Sequence, residues 1–216
     1  MKIIQILHHS LSTTNEKVDP RFYEEDWHVK VSKKIKKVTN KYEIECWRPE
    51  RNLKKKYIRT SPDGITYKIF PSKYFKKFEY SPLMVKELKN MGKNEILLHF
   101  HGIFYPNTYF ILKSIPMEVP IVAQSHASSP TLIQAMFDKT PLMLLEPLEF
   151  LIQRICLKKI DQFFCLSKKE TEEFSRYANA IIQPMGIDFN KFKPIKKEIA
   201  QKKIWTRKKE LCSLCR

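Results

Sequence analysis

The stretch DQFFCLSKKETEEFSRYANAIIQ, residues 161–183, decides the fold class of this chain. Residues 161–167 are typical of a buried strand, residues 168–177 of a helix with Ser167 as its N-cap, and residues 179–183 of another strand. Two neighbouring strands joined through a helix lie parallel, because the crossover returns the chain to the same end of the sheet. This unit therefore predicts a parallel sheet.

The same alternation of strand and helix patterns extends through the chain. Strands are predicted at residues 2–7, 42–47, 95–102 and 119–127, and helices at 27–39, 82–91, 105–115 and 141–160. The helix at 82–91 has Ser81 as its predicted N-cap and Gly92 just past its end. Pro49 is predicted to close the second strand, and Pro62, Asp63 and Gly64 to form a hairpin turn. The sequence thus predicts an α/β fold: a Rossmann-like, doubly wound, mostly parallel sheet with helices on both faces.

Composition narrows the class of protein. The chain has 216 residues, 43% of them hydrophobic, which is enough for one well-packed domain. Only four glycines occur, too few and too scattered for either common phosphate-binding glycine loop. No secretory signal or long apolar span is recognised, and the five cysteines form no disulfide framework. We therefore expect a cytoplasmic protein with buried, reduced cysteines.

The net charge of +17 is concentrated in two blocks. Residues 51–77 carry nine Lys/Arg and one Asp, and residues 196–216 carry eight Lys/Arg and two Glu. Lysines interleaved with aromatic residues in the first block would suit an anionic membrane surface. A solvated lysine-rich loop is the alternative, and so is a non-enzymatic basic module that binds nucleic acid or a membrane.

Polar residues follow the predicted strands where each one ends. They are His8 and His9, His99, His101 and Gly102, Ser125 and His126, and Ser167. In a parallel sheet these carboxyl ends share one edge, where ligands bind. We therefore expect a site there, although each histidine taken singly is more often structural.

A longer motif carries a resemblance to a known family. Ser167 ends a predicted strand and is followed by a helix, a second strand, the turn Gly186-Ile187-Asp188 and then Phe192-Lys193-Pro194. Upstream, two histidine-containing loops read HFHG at 99–102 and QSHASSP at 124–130. This arrangement resembles the N-terminal, acceptor-side domain of family 4 glycosyltransferases, which have the two-domain GT-B fold. The resemblance covers about residues 1–200, so residues 1–195 are predicted to be one such domain.

The resemblance implies transfer of a sugar from a nucleotide-sugar donor to an acceptor, with retention at the anomeric carbon. It implies that His126 is the catalytic residue, contacting the transferring sugar or the acceptor hydroxyl, and that His9, His101, Gly102 and Ser125 bind substrate. Gly186 and Asp188 would form a structural linker turn. No metal or cofactor beyond the nucleotide-sugar is implied, and the acceptor could be lipid-linked.

One departure from the family concerns the loop after the first strand. Family members carry a glycine pair there, where backbone approaches the donor phosphates, whereas this chain reads HHSLSTTNEKVDP. The donor-binding role of this loop therefore does not carry over from the resemblance.

The segment IWTRKKELCSLCR, residues 204–216, departs more sharply from the family's sequence pattern. It can be a basic tail, a zinc half-site through Cys212 and Cys215, or sequence read out of frame. Two cysteines without a second pair make a poor zinc site. Shifted by one nucleotide, the segment can encode FGLEKKNFVLYVG, which is similar to the family's second-domain start. Residues 196–216 are therefore expected to be a linker followed by a frameshift product.

We predict that DNA read from codon 195 onward continues, in the shifted frame, into an open reading frame that encodes an acidic-pair motif. Sequencing the gene for several hundred bases past the stop codon checks this. A shifted frame that closes at once would return Cys212 and Cys215 to consideration as a ligand or redox pair.

Overall fold

The computed structural model describes residues 1–7, 10, 22–75, 78–92, 95–103, 105–124, 151 and 157–183. The chain divides into two units, Met1–Pro184 and Met185–Arg216, and every described residue belongs to the first. The proposed boundary at residue 195 and the segment 196–216 lie outside the described residues.

The described strands and helices follow the predicted order, with an extra short helix at residues 22–25 and extra strands at residues 73–80. Of the helix predicted at 141–160, only residues 151 and 157–160 are among the described residues. The strands are β1 (Lys2–Leu7), β2 (Glu43–Glu50), β3 (Tyr57–Thr60), β4 (Ile65–Pro71), β5 (Lys73–Phe75), β6 (Phe78–Tyr80), β7 (Ile96–His101), β8 (Ile121–Gln124), β9 (Gln162–Cys165) and β10 (Ala180–Ile182). The helices are α1 (Phe22–Glu25), α2 (Trp27–Val38), α3 (Pro82–Lys89), α4 (Pro106–Ser114) and α5 (Lys168–Phe174).

In the described part of the chain, one sheet has the order β10-β9-β8-β7-β1-β2-β4-β3. All its neighbouring strands are parallel except the pair β3 and β4. The predicted α/β class with a mostly parallel sheet is therefore confirmed.

The two faces of the sheet bury separate clusters. One cluster joins α3, α4 and α5 to the sheet through residues such as Met84, Ile111, Phe174, Phe100 and Phe163. The other joins α1 and α2 to β2 and β4, through Tyr23, Val29, Ile44, Cys46, Ile65, Tyr67 and Ile69. Helices on both faces explain why strand residues are buried on both sides, as in doubly wound folds.

The second strand is longer than predicted. β2 continues through Pro49 to Glu50 and stays paired with β4 over that length. Pairing with β1, by contrast, ends at Trp47. Pro49 therefore lies where β2 has no partner on its β1 side, so the N–H that proline lacks is not needed there. The prediction that Pro49 closes the strand is wrong for this reason.

The hairpin predicted at residues 62–64 is confirmed. β3 and β4 run antiparallel, and Gly64 has φ of 73°, a backbone conformation that favours glycine. The predicted helix α2 buries Val29 and Ser32, and Ile35 packs against the same cluster, whereas Val38 at its end is 87% exposed. A second hairpin, β5 and β6, was not predicted.

The helix α3 begins at a cap that also joins two other elements. Ser81 Oγ accepts a hydrogen bond from the Met84 amide and lies 2.9 Å from the Pro71 carbonyl, to which it donates. The Ser81 amide donates to Asn107 Oδ1, in α4. Ser167 caps α5 through the Glu170 amide in the same way, but at an exposed position.

We predict that Ser81→Ala lowers the free energy of unfolding by about 2 kcal/mol, because it removes a helix cap and leaves the partly buried Pro71 carbonyl without this donor. Ser167→Ala is the matched control, with an expected loss of about 1 kcal/mol for the cap alone. Urea unfolding of both variants measures the difference. Equal losses would show that the bond to Pro71 contributes nothing.

Candidate functional site

The strand order has a topological switch point between β1 and β7. From β1 the sheet extends through β2 and β4 in one direction, and from β7 through β8, β9 and β10 in the other. In open parallel sheets, ligands bind beyond the carboxyl ends of the strands at such a point. The carboxyl ends here are Leu7 and His101, which lie opposite each other in the pairing of the two strands.

Two of the predicted substrate-binding residues lie at this switch point. His101 ends β7, and Gly102 follows it with φ of 93°. The Gly102 amide donates to the carbonyl of Gln124 at the end of β8, and its carbonyl accepts from Thr108 Oγ1 in α4. Gly102 thus turns the chain from β7 toward the start of α4, and a side chain would strain that conformation.

His101 itself is fully buried, and its Nε2 lies 2.5 Å from Gln5 Oε1 on β1. His99 is half-buried on the same face of β7, with its ring centroid 4.4 Å from that of His101. The His99 ring also meets the ring of Phe164 on β9 edge to face. The structure therefore brings a glutamine and two imidazoles together in the sheet at the switch point.

The remaining predicted site residues lie outside the described residues. These are His9, Ser125 and His126, and the linker residues Gly186 and Asp188. The strands that lead to them end at the same edge as β7, since Gln124 pairs with His101. Their roles in catalysis, substrate binding and the linker turn stay predictions.

A buried carboxylate at the same edge was missed in the sequence. Glu79, on β6, is 4% exposed. Its oxygens accept hydrogen bonds from the amide and hydroxyl of Ser10, at 3.1 and 2.7 Å, and from Ser72 Oγ at 2.6 Å. Arg51 Nε lies 3.5 Å from Glu79 Oε2, and the Arg51 amide donates to Ser10 Oγ.

The partners of Glu79 come from three separate strand ends. Ser10 follows β1, Arg51 follows β2 and Ser72 follows β4, each within a few residues of the strand. The Glu79 carboxylate therefore links the segments that follow β1, β2 and β4 at the carboxyl edge of the sheet. A lone Glu between aromatic residues in KYFKKFEY gave no signal of this, because Ser10 and Arg51 are distant in sequence and Ser72 has no fixed spacing to it.

A second buried charge pair holds α1 and α2 to the sheet. Arg48 on β2 is 1% exposed and pairs with Asp26, which lies between the two helices. Burial raises the pKa of the nearby Tyr23 phenol, and the negative charge of Glu50 adds to the effect. Buried charges of this kind need partners, so Asp26 and Arg48 depend on one another.

Within the part of the chain that the structure describes, four of the nine Lys/Arg residues in the basic block at residues 51–77 form ion pairs with acidic residues from elsewhere in the chain. Lys56 and Lys68 pair with Glu87, Lys68 also with Glu45, Arg59 with Glu24 and Arg51 with Glu79. Burial alone would raise the pKa of Glu45, but hydrogen bonds from Lys2, Lys68 and Trp47 outweigh it and lower that pKa. The free positive charge of the block is therefore smaller than its composition implies.

The aromatic residues of this block do not all face outward. Tyr67 is 2% exposed and Phe70 is fully buried, with the Phe70 ring packed against Trp47. The prediction that they lie at a membrane interface is wrong for these two, because β4 is an interior strand of the sheet. Among the described residues, no helix combines the length and apolarity that a transmembrane span requires.

Comparisons with known proteins agree with the fold. No family model matches the chain, and no curated protein matches it. A solved structure described as trehalose-6-phosphate from E. coli bound with UDP-2-fluoro glucose is similar, with a TM-score of 0.56 and 11% identity. The similarity covers 96% of this chain and 55% of that one, so the chain spans about half the length of its match.

This similarity is one of fold. The described sheet, mostly parallel and eight-stranded, matches half of a GT-B fold. The finer assignment to glycosyltransferase family 4, drawn from the motifs, is not shown by this match.

We predict that Glu79→Gln lowers the free energy of unfolding by about 2 kcal/mol, because a carboxylate that accepts buried hydrogen bonds on both oxygens is replaced by a neutral amide that can accept on only one. Urea unfolding measures this, and hydrogen exchange at the Ser10 amide is expected to accelerate. Glu172→Gln makes the same chemical change at an exposed ion pair with Lys168 and is expected to have almost no effect. Equal effects of the two substitutions would show that Glu79 does not hold this edge together.

Proposed function

We propose that the chain supplies the acceptor-side half of a retaining glycosyltransferase that uses a nucleotide-sugar donor. The observation that carries this proposal is the switch point between β1 and β7, where His101 and Gly102 lie in a sheet that matches half of a GT-B fold. The solved structure with that similarity is bound with UDP-2-fluoro glucose. The motif Gly186-Ile187-Asp188 and the two histidine-containing loops support the same function.

The proposed reaction breaks the bond between the anomeric carbon of the donor sugar and the oxygen of its diphosphate. A hydroxyl oxygen of the acceptor bonds to that carbon on the same face, and its proton passes to the departing phosphate. His126 is proposed to contact the reacting groups, since an imidazole can donate a hydrogen bond or relay a proton near neutral pH. His9, His101, Gly102 and Ser125 are proposed to line the acceptor side.

Both halves of a GT-B fold are needed to hold the donor and the acceptor in the right relative orientation. That orientation supplies much of the rate of a two-substrate reaction. We therefore propose that these 216 residues bind sugar ligands but do not catalyse transfer by themselves. A second polypeptide or domain would supply most of the contacts to the nucleotide. Association with an anionic membrane, which would suit a lipid-linked acceptor, belongs to the same proposal.

The alternative is a non-enzymatic module that binds nucleic acid or a membrane through residues 51–77. The exposed lysines Lys54, Lys55 and Lys73 favour it. The ion pairs of Arg51, Lys56, Arg59 and Lys68 count against it, because paired cations attract polyanions less strongly. We do not expect nucleic acid to be a partner.

The test is NMR titration of the ¹⁵N-labelled chain with UDP-2-fluoro glucose and, separately, with trehalose-6-phosphate. The Gly102 amide reports on the carboxyl edge, and the Gly64 amide, which donates to Ser61 at the amino end of β4, is the internal control. We expect at least one ligand to shift the amide signal of Gly102 and neither ligand to shift that of Gly64. The chain alone is expected to show no transferase activity.

Flotation with vesicles that contain anionic lipid examines the alternative in parallel, with Lys54→Glu/Lys55→Glu as the charge-reversed control. Flotation that depends on these lysines, together with an unmoved Gly102 amide, would replace the transferase proposal with the binding module. If the chain does not float with the vesicles and no ligand shifts the Gly102 amide signal, both the transferase proposal and the binding module are contradicted.

A further inference from the structure

Gln5 is a polar residue in an interior strand of a mostly parallel sheet. It lies on β1 between β2 and β7 and is fully buried, whereas its strand neighbours Ile4 and Ile6 are apolar. Interior strands of such sheets are ordinarily apolar on both faces. The position of a carboxamide here therefore needs a specific reason.

The contact that Gln5 makes is with His101 on the adjacent strand. In the pairing of β1 with β7, Gln5 lies opposite His99 and Leu7 lies opposite His101. Gln5 and His101 are thus diagonal neighbours on one face, within reach of each other's side chains. Gln5 Oε1 lies 2.5 Å from His101 Nε2, and both residues are fully buried.

We propose that Gln5 is the positioning residue for His101, holding its imidazole in the tautomer that carries the proton on Nε2. A carboxamide oxygen only accepts, so the ring nitrogen that faces it must donate. In the neutral ring the lone pair is then on Nδ1, and the plane of the imidazole is fixed. The inference rests on the proposed function, in which His101 lines the acceptor side of the cleft.

Gln5 does not satisfy all of its hydrogen-bonding groups, which is unfavourable for a purely structural residue. Its Nε2 is buried and has no hydrogen-bond partner among the described residues. A buried donor without a partner costs free energy, so an apolar side chain of similar shape would serve the strand equally well or better. The gain from glutamine is the orientation of His101, and residues that break a local rule in this way are expected at functional sites.

The experiment is long-range ¹H–¹⁵N correlation NMR of the full chain with ¹⁵N-labelled histidine, above neutral pH. Protonated and bare ring nitrogens give well-separated ¹⁵N shifts, and His101→Gln identifies the signals of His101 by their loss. We expect the Nε2–H tautomer in the unmodified chain. A proton on Nδ1, or on both nitrogens, would overturn the inference.

Gln5→Met removes the acceptor with little change of volume. We expect the His101 signals to move toward those of a tautomer mixture, while the midpoint of urea unfolding stays the same or rises. Gln162→Met is the matched control: Gln162 bonds with Asn179 away from His101, so its removal should leave the His101 signals unmoved. An unchanged tautomer in Gln5→Met would assign the orientation of His101 to another group and overturn the inference.

These readouts need no ligand, so they separate the two proposals. If the tautomer depends on Gln5 but no sugar ligand shifts Gly102, the proposed function fails and the positioning role stands. If a ligand shifts Gly102 but the tautomer is unaffected by Gln5→Met, the positioning role fails alone. If both hold, Gln5→Met is expected to weaken the ligand's binding by several-fold, whereas Gln162→Met leaves it unchanged.

Discussion

The parallel pairing of β1 with both β2 and β7 is the constraint on which the rest of the structure depends. Parallel neighbours are joined by crossovers that place helices on the faces of the sheet, so the residues of β1 are buried on both faces. The same pairing creates the switch point and aligns the carboxyl ends of the strands at one edge. Any site built by residues that follow these strands is therefore assembled by the sheet rather than by a local motif.

Charged and polar side chains reinforce this edge from within the protein. Glu79 joins the segments after β1, β2 and β4, and Arg48 with Asp26 joins β2 to the α1–α2 junction. Such contacts are stronger in a buried setting than on the surface, but only when each group keeps its partners. A few interdependent buried groups therefore stabilise the carboxyl edge of the sheet. Such an arrangement would help a site at this edge to keep its geometry.

The fold class was predictable because it depends on local pattern. Alternating apolar runs and amphipathic segments predict the parallel sheet, Ser81 and Ser167 predict the helix starts, and Gly64 predicts the hairpin. Predictions failed where a neighbouring strand decided the outcome. Pro49 is accommodated because β1 is too short to pair with it, and Tyr67 and Phe70 are buried because β4 lies inside the sheet.

The sequence by itself determined most of the strands and helices, their order, and the polar residues that follow the strands, because these follow from periodicity and capping between near neighbours in the chain. It also predicted that His101 and Gly102 lie where a strand ends, as they do at the end of β7. Only the tertiary structure decided that Gln5 meets His101 and that Glu79 meets Ser10, Arg51 and Ser72. Those partners are 96, 69, 28 and 7 residues apart. Gln5 and His101 meet through the pairing of β1 with β7, whereas Glu79 lies in the separate β5–β6 hairpin and meets segments that leave the main sheet. No local pattern encodes either arrangement.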